Sequence, residues 1–229
     1  MINEIKWDGF SDDMVFEKDK AYVFKAETEK YYNLISNDYL NVLSADEIQR
    51  SLIFKQNKDK QRFVAGRYLL RNILSKITLN TAAEIEFTRN EFNKPLFNNM
   101  GFNVSHSGDY ILIAAGPGNI GIDVEFIKPG FDFEPVLGIC FGTDEIAYIK
   151  NEGDAVLNFY TFWTRKEAIL KATGEGLTDN LPEINCIDDA IYRGQICYQL
   201  ISFMADDCHM ACLAGNNVNN TSYINMQAI

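Results

Sequence analysis

Proline and cysteine are scarce in this chain, and each shortage excludes something. Five prolines in 229 residues leave no Pro-rich linker or extended stalk. Fifteen glycines with no G-X-Y period rule out a collagen-like chain. The five cysteines, Cys140, Cys186, Cys197, Cys208 and Cys212, are odd in number and form no C-x-x-C pair. A disulfide framework and a zinc ribbon are therefore not expected. Cys208 and Cys212 flank His209, but further ligands are missing, and we read this stretch as a buried strand carrying small apolar thiols. With two histidines in the whole chain, a His-rich zinc site cannot be assembled. No apolar run approaches the roughly 20 residues of a membrane span. The opening MINEIKWDGFSDD is acidic and mixed, so we expect no secretory leader, no membrane partner and a soluble, cytoplasmic protein. Also absent are the nucleophile elbow G-x-S-x-G, the phosphate loop G-x-x-x-x-G-K-[ST] and the dinucleotide fingerprint G-x-G-x-x-G.

What is present is an ordinary globular composition, 47% hydrophobic and 23% charged, long enough for one large domain or two small ones. The net charge of -11 disfavours non-specific nucleic-acid binding. The bases are concentrated, however. From Arg50 to Lys76 eight of them (Arg50, Lys55, Lys58, Lys60, Arg62, Arg67, Arg71 and Lys76) meet the single acid Asp59, a local charge of +7. Such a segment is either a solvated helix face or a site for a phosphorylated or acidic partner.

Periodicity divides the chain into two halves of similar order. AYVFKAE predicts a strand, Ser44 with Glu47 predicts a helix start through a capping box, and Phe63, Leu70, Ile73, Leu74 and Ile77 follow helical spacing. EIEFT, GFNVSHS and YILIAAG predict strands. After the turn GPGNIG, the strand GIDVEFI leads into two helical stretches, TDEIAYIK and DAVLNFYTFWTRKEAILKAT, the latter stopped by Gly174. Strands are predicted again near EINCI, QICYQLISF and HMACLAG. The pattern predicts an α+β fold of two related lobes, residues 1–117 and 118–229.

Three features carry chemistry. Asp123 and Glu125, two apart in a strand, point the same way. Two like charges side by side call for a cation between them, and a hard divalent ion such as Mg²⁺ suits carboxylate oxygens; an exposed edge with two solvated acids is the alternative. Glu167 and Lys171 lie four apart on one helix face, which is often a plain surface ion pair. Their neighbours Phe162, Trp163, Ala168, Ile169, Leu170 and Ala172 predict a buried helix, where charges need a metal or phosphate partner. Thr164 with Glu167 also matches a capping box, so a helix start at Thr164 is a second plain explanation. His106, in a Ser-His-Ser-Gly turn, suits hydrogen bonding to an anion.

In this order, Asn93-Lys94-Pro95, FNVSHSG, GIDVE and FWTRKEAILKATGEGL resemble the 4′-phosphopantetheinyl transferase superfamily in its larger, two-lobed form, as does the helix KQRFVAGRYLLRNIL. The resemblance covers residues 44 to 181. It implies a pseudo-dimer of two α+β lobes with the active site between them, and a working monomer. It implies transfer of 4′-phosphopantetheine from coenzyme A to a serine of an acyl or peptidyl carrier protein. By matching positions, Asp123, Glu125 and Glu167 would hold Mg²⁺ against the coenzyme A pyrophosphate, and Lys171 would neutralise the departing charge. Arg62, Lys94 and His106 would contact the nucleotide phosphates, and Glu167 would be the base for the carrier serine. Glu47 departs from the pattern, standing where a base is expected. The rival readings are another metal-dependent phosphodiesterase or nucleotidyltransferase, and a non-catalytic coenzyme A- or carrier-binding protein.

Overall fold

A computed structural model of the chain describes residues 2–92, 94–176 and 180–226; Asn93 and Leu177, quoted in the resembling segments, lie outside the described residues. The chain begins with the short strands β1 (Ile2–Asn3) and β2 (Asp8–Gly9), then β3 (Ala21–Glu27). Four helices follow: α1 (Thr28–Ile35), α2 (Tyr39–Val42), α3 (Ala45–Leu52) and α4 (Asn57–Thr78). Next come β4 (Thr88–Arg89), β5 (Pro95–Leu96), β6 (Met100–Ser107), β7 (Tyr110–Pro117) and β8 (Ile120–Phe126). The second helical group is α5 (Glu134–Cys140), α6 (Thr143–Asn151) and α7 (Ala155–Thr173). The strands β9 (Ala190–Arg193), β10 (Ile196–Asp206), β11 (His209–Gly215) and β12 (Thr221–Asn225) complete the fold. No described helix is long and apolar enough to cross a membrane.

Two sheets are built the same way. In the first, β3 pairs with β7 and β7 with β6; in the second, β8 pairs with β11 and β11 with β10, all antiparallel. Each is thus a strand, a helical excursion and a hairpin returning beside it. The sheets pack face to face through Val23, Leu112, Ala114, Ile122, Val124, Phe203, Ala211 and Leu213. On its outer face the first sheet is covered by α4 and the second by α7. Strands buried on both faces read as unbroken apolar runs, as in YILIAAG and HMACLAG. The two chain ends cross over: β12 lies parallel to β3 in the first sheet, and β1 lies parallel to β10 in the second. Both exchanges cross the expected boundary at 117/118.

Some expected elements differ. α7 starts with Asp154 as its cap, the side chain accepting from Val156 and Leu157 N–H. Thr164 is mid-helix, its hydroxyl bonded back to the carbonyls of Tyr160 and Thr161, so the capping box at Thr164 is discarded. EIEFT and EINCI are mostly irregular, flanked by single 3₁₀ turns at Ala82–Glu84 and Leu181–Glu183.

Those turns belong to a device found in both lobes. Ser44 caps α3, and its N–H donates to Glu47 Oε2 at 3.0 Å. Arg71, on α4 and 2% exposed, donates to the same oxygen at 2.7 Å and to the carbonyls of Ala82 and Ile85. In the second lobe the N–H of Gly142 donates to Glu145 Oε2, at the start of α6. Lys166, on α7 and fully buried, pairs with Glu145 at 2.8 Å and donates to the carbonyls of Leu181 and Ile184. Each lobe thus ties short helix, long helix and 3₁₀ turn through one buried acid. Glu47 also pairs with Arg67 at 2.7 Å, which gives the unexpected acid its structural reason.

Between the lobes, one face of β6 meets the open edge of β8. Ile122 N–H donates to Asn103 Oδ1 at 3.0 Å, Val124 N–H to Ser105 Oγ at 3.3 Å, and Phe126 N–H to Ser107 Oγ at 3.0 Å. A two-residue period on both strands makes this side-chain ladder possible.

Breaking a buried pair by removing one charge costs about 3–5 kcal/mol. Glu47→Gln and Glu145→Gln are each expected to lower the unfolding free energy by about that amount in urea melts. A loss below about 1 kcal/mol would show that these acids do not anchor their lobes.

Candidate active site

The ladder places Asp123 and Glu125 at the seam between the sheets. Gly121 sets the distance to α7, since a Cβ there would collide with the Ala168 carbonyl and the Ala172 amide. With that close approach, Lys171 Nζ reaches Asp123 Oδ1 at 2.5 Å and Ser105 Oγ at 3.2 Å. Ser105 donates to the same Asp123 oxygen at 2.9 Å, while Asp123 Oδ2 is buried with no partner among the described residues. Glu125 accepts from Ser107 at 2.8 Å and from Trp163 Nε1 at 3.4 Å. Glu167, one turn before Lys171, lines one cavity with it and is near enough to act on the Asp123 charge.

Electrostatics mark the cluster. Burial pushes the Asp123 carboxyl up to about 7, with the charges of Glu125 and Glu167 adding to the shift and Lys171 opposing it. Burial likewise raises Glu167, again with Glu125 adding to it and Lys171 opposing. Three carboxyls, one of them paired with the Lys171 ammonium and with its second oxygen orphaned, form a hard-oxygen donor set that fits Mg²⁺ or Mn²⁺. They are not a closed cage. Among the described residues, the one trio of His, Cys, Asp or Glu whose ligand atoms all lie within 4.8 Å of one another is Asp206, Cys208 and His209. There Asp206 Oδ1 bonds Cys208 N–H and His209 Nδ1, closing the β10–β11 turn.

Two cavities flank the seam. One, of about 420 Å³, is lined by Arg50, Arg62, Arg67, Arg89 and His106, with Phe54 and Phe63. Arg62 donates to the Gly108 carbonyl at 3.2 Å and pairs with Asp59 at 3.5 Å, and its Nε is buried with no partner among the described residues. Partial burial and then the Arg62 charge hold His106 below the usual imidazole range. Cation and aromatic together suit an anionic ligand with a flat ring. The second cavity, of about 300 Å³, is lined by Phe92, Lys94, Glu167, Leu170 and Lys171. Pro95 lines both.

The structure therefore brings Asp123, Glu125, Glu167 and Lys171 together and sets Arg62 with His106. Lys94 is not with that second pair. Its Nζ donates to the carbonyls of Lys171 (2.6 Å) and Ala172 (3.1 Å) at the end of α7, and burial lowers its pKa to about 8. Sequence reasoning missed Arg89, which lies far from the basic segment in the chain. It also missed the roles of Ser105, Ser107 and Trp163, although N-x-S-x-S carries the same two-residue spacing as D-x-E.

A family model described as 4′-phosphopantetheinyl transferase superfamily matches residues 119–210, and one described as 4′-phosphopantetheinyl transferase, N-terminal, matches residues 35–118. The 4′-phosphopantetheinyl transferase HetI of Nostoc is 30% identical over 190 residues, 77% of this chain and 80% of that protein. A putative 4′-phosphopantetheinyl transferase of Synechocystis is 32% identical over 154 residues, 64% of this chain and 63% of that protein. The 4′-phosphopantetheinyl transferase Sfp of Bacillus subtilis is 27% identical over 144 residues, 61% of this chain and 64% of that protein. The chain thus spans less than two thirds of the length of the last two relatives.

The acid cluster has a pH signature. Burial pushes folded Asp123 up to about 7, whereas in the unfolded chain it gives up its proton in the ordinary carboxylate range. This group favours folding most at acid pH, and its contribution falls as pH rises through that window. A divalent cation favours the ionised form, so Mn²⁺ is expected to raise the melting temperature more at pH 8 than at pH 6. Asp123→Asn should abolish the shift. Equal shifts at both pH values would count against a cation on Asp123.

Proposed function

Because the chain belongs to the 4′-phosphopantetheinyl transferase superfamily, we propose that it transfers phosphopantetheine from coenzyme A to a serine of an acyl or peptidyl carrier protein. The observation that carries this reading is the placement of Lys171 on Asp123, within a carboxyl cluster that adjoins the arginine-lined cavity. The lobes, residues 1–117 and 118–229 apart from the ends they exchange, each supply one wall. Every side chain assigned to the site comes from one chain, which supports a monomer; the location proposed is the cytoplasm.

In this reading the nucleotide end of coenzyme A lies in the cavity of Arg62 and His106, where guanidinium groups take the phosphates and Phe54 or Phe63 offers a ring face. Lys94, bonded to the end of α7, lines the smaller cavity beside Lys171. Asp123, Glu125 and Glu167 would hold Mg²⁺, which when bound neutralises charge on the pyrophosphate. The carrier serine Oγ attacks the pantetheine-side phosphorus, and the phosphorus–oxygen bond to adenosine 3′,5′-bisphosphate breaks. The serine proton passes to the Glu167 carboxylate, whose raised pKa makes it a better acceptor. The Lys171 ammonium meets the negative charge that grows on the leaving phosphate. The nucleophile comes from the partner, so this chain needs no serine elbow of its own.

The basic segment divides by exposure. Arg67 and Arg71 are held by Glu47, while Lys55 and Lys58 face solvent and Lys60 is half-buried. Carrier proteins of acidic surface would be drawn to those lysines.

Incubation with coenzyme A, Mg²⁺ and apo-carriers is expected to add one phosphopantetheine to the carrier serine by mass spectrometry. Glu167→Gln should slow this at least about 100-fold. Hydrolysis of coenzyme A without modification of any carrier would instead support a phosphodiesterase. Charge reversal at Lys58 and Lys60 is expected to raise the carrier KM and leave the coenzyme A KM unchanged; an unchanged carrier KM would remove the lysines from docking.

A further inference from the structure

The hydroxyls of Ser105 and Ser107 carry more than the lobe seam. A serine hydroxyl has one proton to donate and two lone pairs to accept with. Ser105 Oγ accepts from Val124 N–H at 3.3 Å and from Lys171 Nζ at 3.2 Å. Both lone pairs are then taken, and its one proton is committed to Asp123 Oδ1 at 2.9 Å. Ser107 Oγ accepts from Phe126 N–H at 3.0 Å and commits its proton to Glu125 Oε2 at 2.8 Å. With a β8 N–H on each hydroxyl oxygen, each hydroxyl proton is given to a carboxylate. One oxygen of each acid is held this way; Asp123 Oδ2 is left with no partner among the described residues.

We propose that Ser105 and Ser107 are positioning residues that aim Asp123 and Glu125, so that a divalent cation meets a carboxylate pair already oriented when it arrives. Groups bonded to the ligands of a metal tune its affinity by about 10–100-fold. Asn103 supplies the comparison inside the same ladder. It accepts from Ile122 N–H, so it clasps β8 as the serines do, and no bond from it to either carboxylate is present. The spacing agrees with this division: S-x-S on β6 meets D-x-E on β8 with one period, and Asn103 lies one step before the first acid.

The activity arm of the test rests on the transfer reading; the binding arm does not. Threonine keeps the hydroxyl and valine has the same shape without it, so Ser107→Thr and Ser107→Val form an isosteric pair at the more open end of the ladder. Binding of Mn²⁺ alone to the full chain is followed by the electron spin resonance of free Mn²⁺, with urea unfolding measured alongside. Ser107→Val is expected to weaken Mn²⁺ binding about 10-fold or more, and Ser107→Thr by less than about twofold. Asn103→Ala is expected to lower stability while keeping Mn²⁺ affinity within about twofold of the original. Equal Mn²⁺ affinity in the valine and threonine variants would overturn the proposal, as would weakening by Asn103→Ala as large as by Ser107→Val. No Mn²⁺ binding to the unsubstituted chain would overturn it too. If the Mn²⁺ series comes out as expected but no carrier is modified, the transfer reading fails and the positioning role stands.

Discussion

The open edge of β8 is the constraint on which the molecule turns. It lies where the two sheets meet, buried at Val124 and open to water at Phe126, and its buried N–H groups must be paired inside the protein. A backbone ladder with β6 would merge the sheets into one. Side chains from β6 pair the edge without merging them, at three alternate residues. The sheets stay separate and stacked, and the acids of β8 come to lie against two hydroxyls. The close contact of Gly121 with α7 then fixes the other side, bringing Lys171 to Asp123. Strand edge, helix and acid cluster are thus set by one seam.

The repeat explains why the seam can be rigid. Each lobe holds its long helix through a buried acid, a buried base and two carbonyls of a 3₁₀ turn. Such charges cost desolvation, and full satisfaction by hydrogen bonds is what makes them tolerable. With α4 and α7 fixed in equivalent places, their seam-facing residues are free to differ. α4 presents Arg62 and Arg67 to the larger cavity, and α7 presents Glu167 and Lys171 to the smaller one. Common scaffolding with unlike faces gives one basic wall and one acidic centre.

What could be read from the sequence follows the range of the interactions concerned. β3 and α7 are local patterns of burial and cap, and AYVFKAE and Gly174 give them directly. The two-lobed order and the convergence of D-x-E with Glu167 and Lys171 were legible as well, from strand alternation, helical spacing and family resemblance. The partners of Glu47 were not, because Arg67 and Arg71 stand 20 and 24 residues away and the chain shows only an acid just before the basic stretch. The same limit hid the exchange of β1 and β12 between lobes, which joins opposite ends of the chain. Lys94 enters as a phosphate contact through the family resemblance alone. Its attachment to the end of α7 depends on tertiary packing alone.

Charge counting ties the cluster to its chemistry. Asp123, Glu125 and Glu167 offer three negative charges when ionised, and Lys171 answers one. Two remain, the charge of a single divalent ion. In a chain without that ion, the cheapest remedy in a poorly hydrated site is a proton, and Asp123 holds one up to about pH 7. In the proposed site, proton and cation would compete for the same deficit, at the acid with the orphaned oxygen. An exposed pair of acids would need neither, since water would solvate both. Burial of Asp123 is thus what would set a D-x-E completed by a cation, as proposed above, apart from one that merely ends a strand.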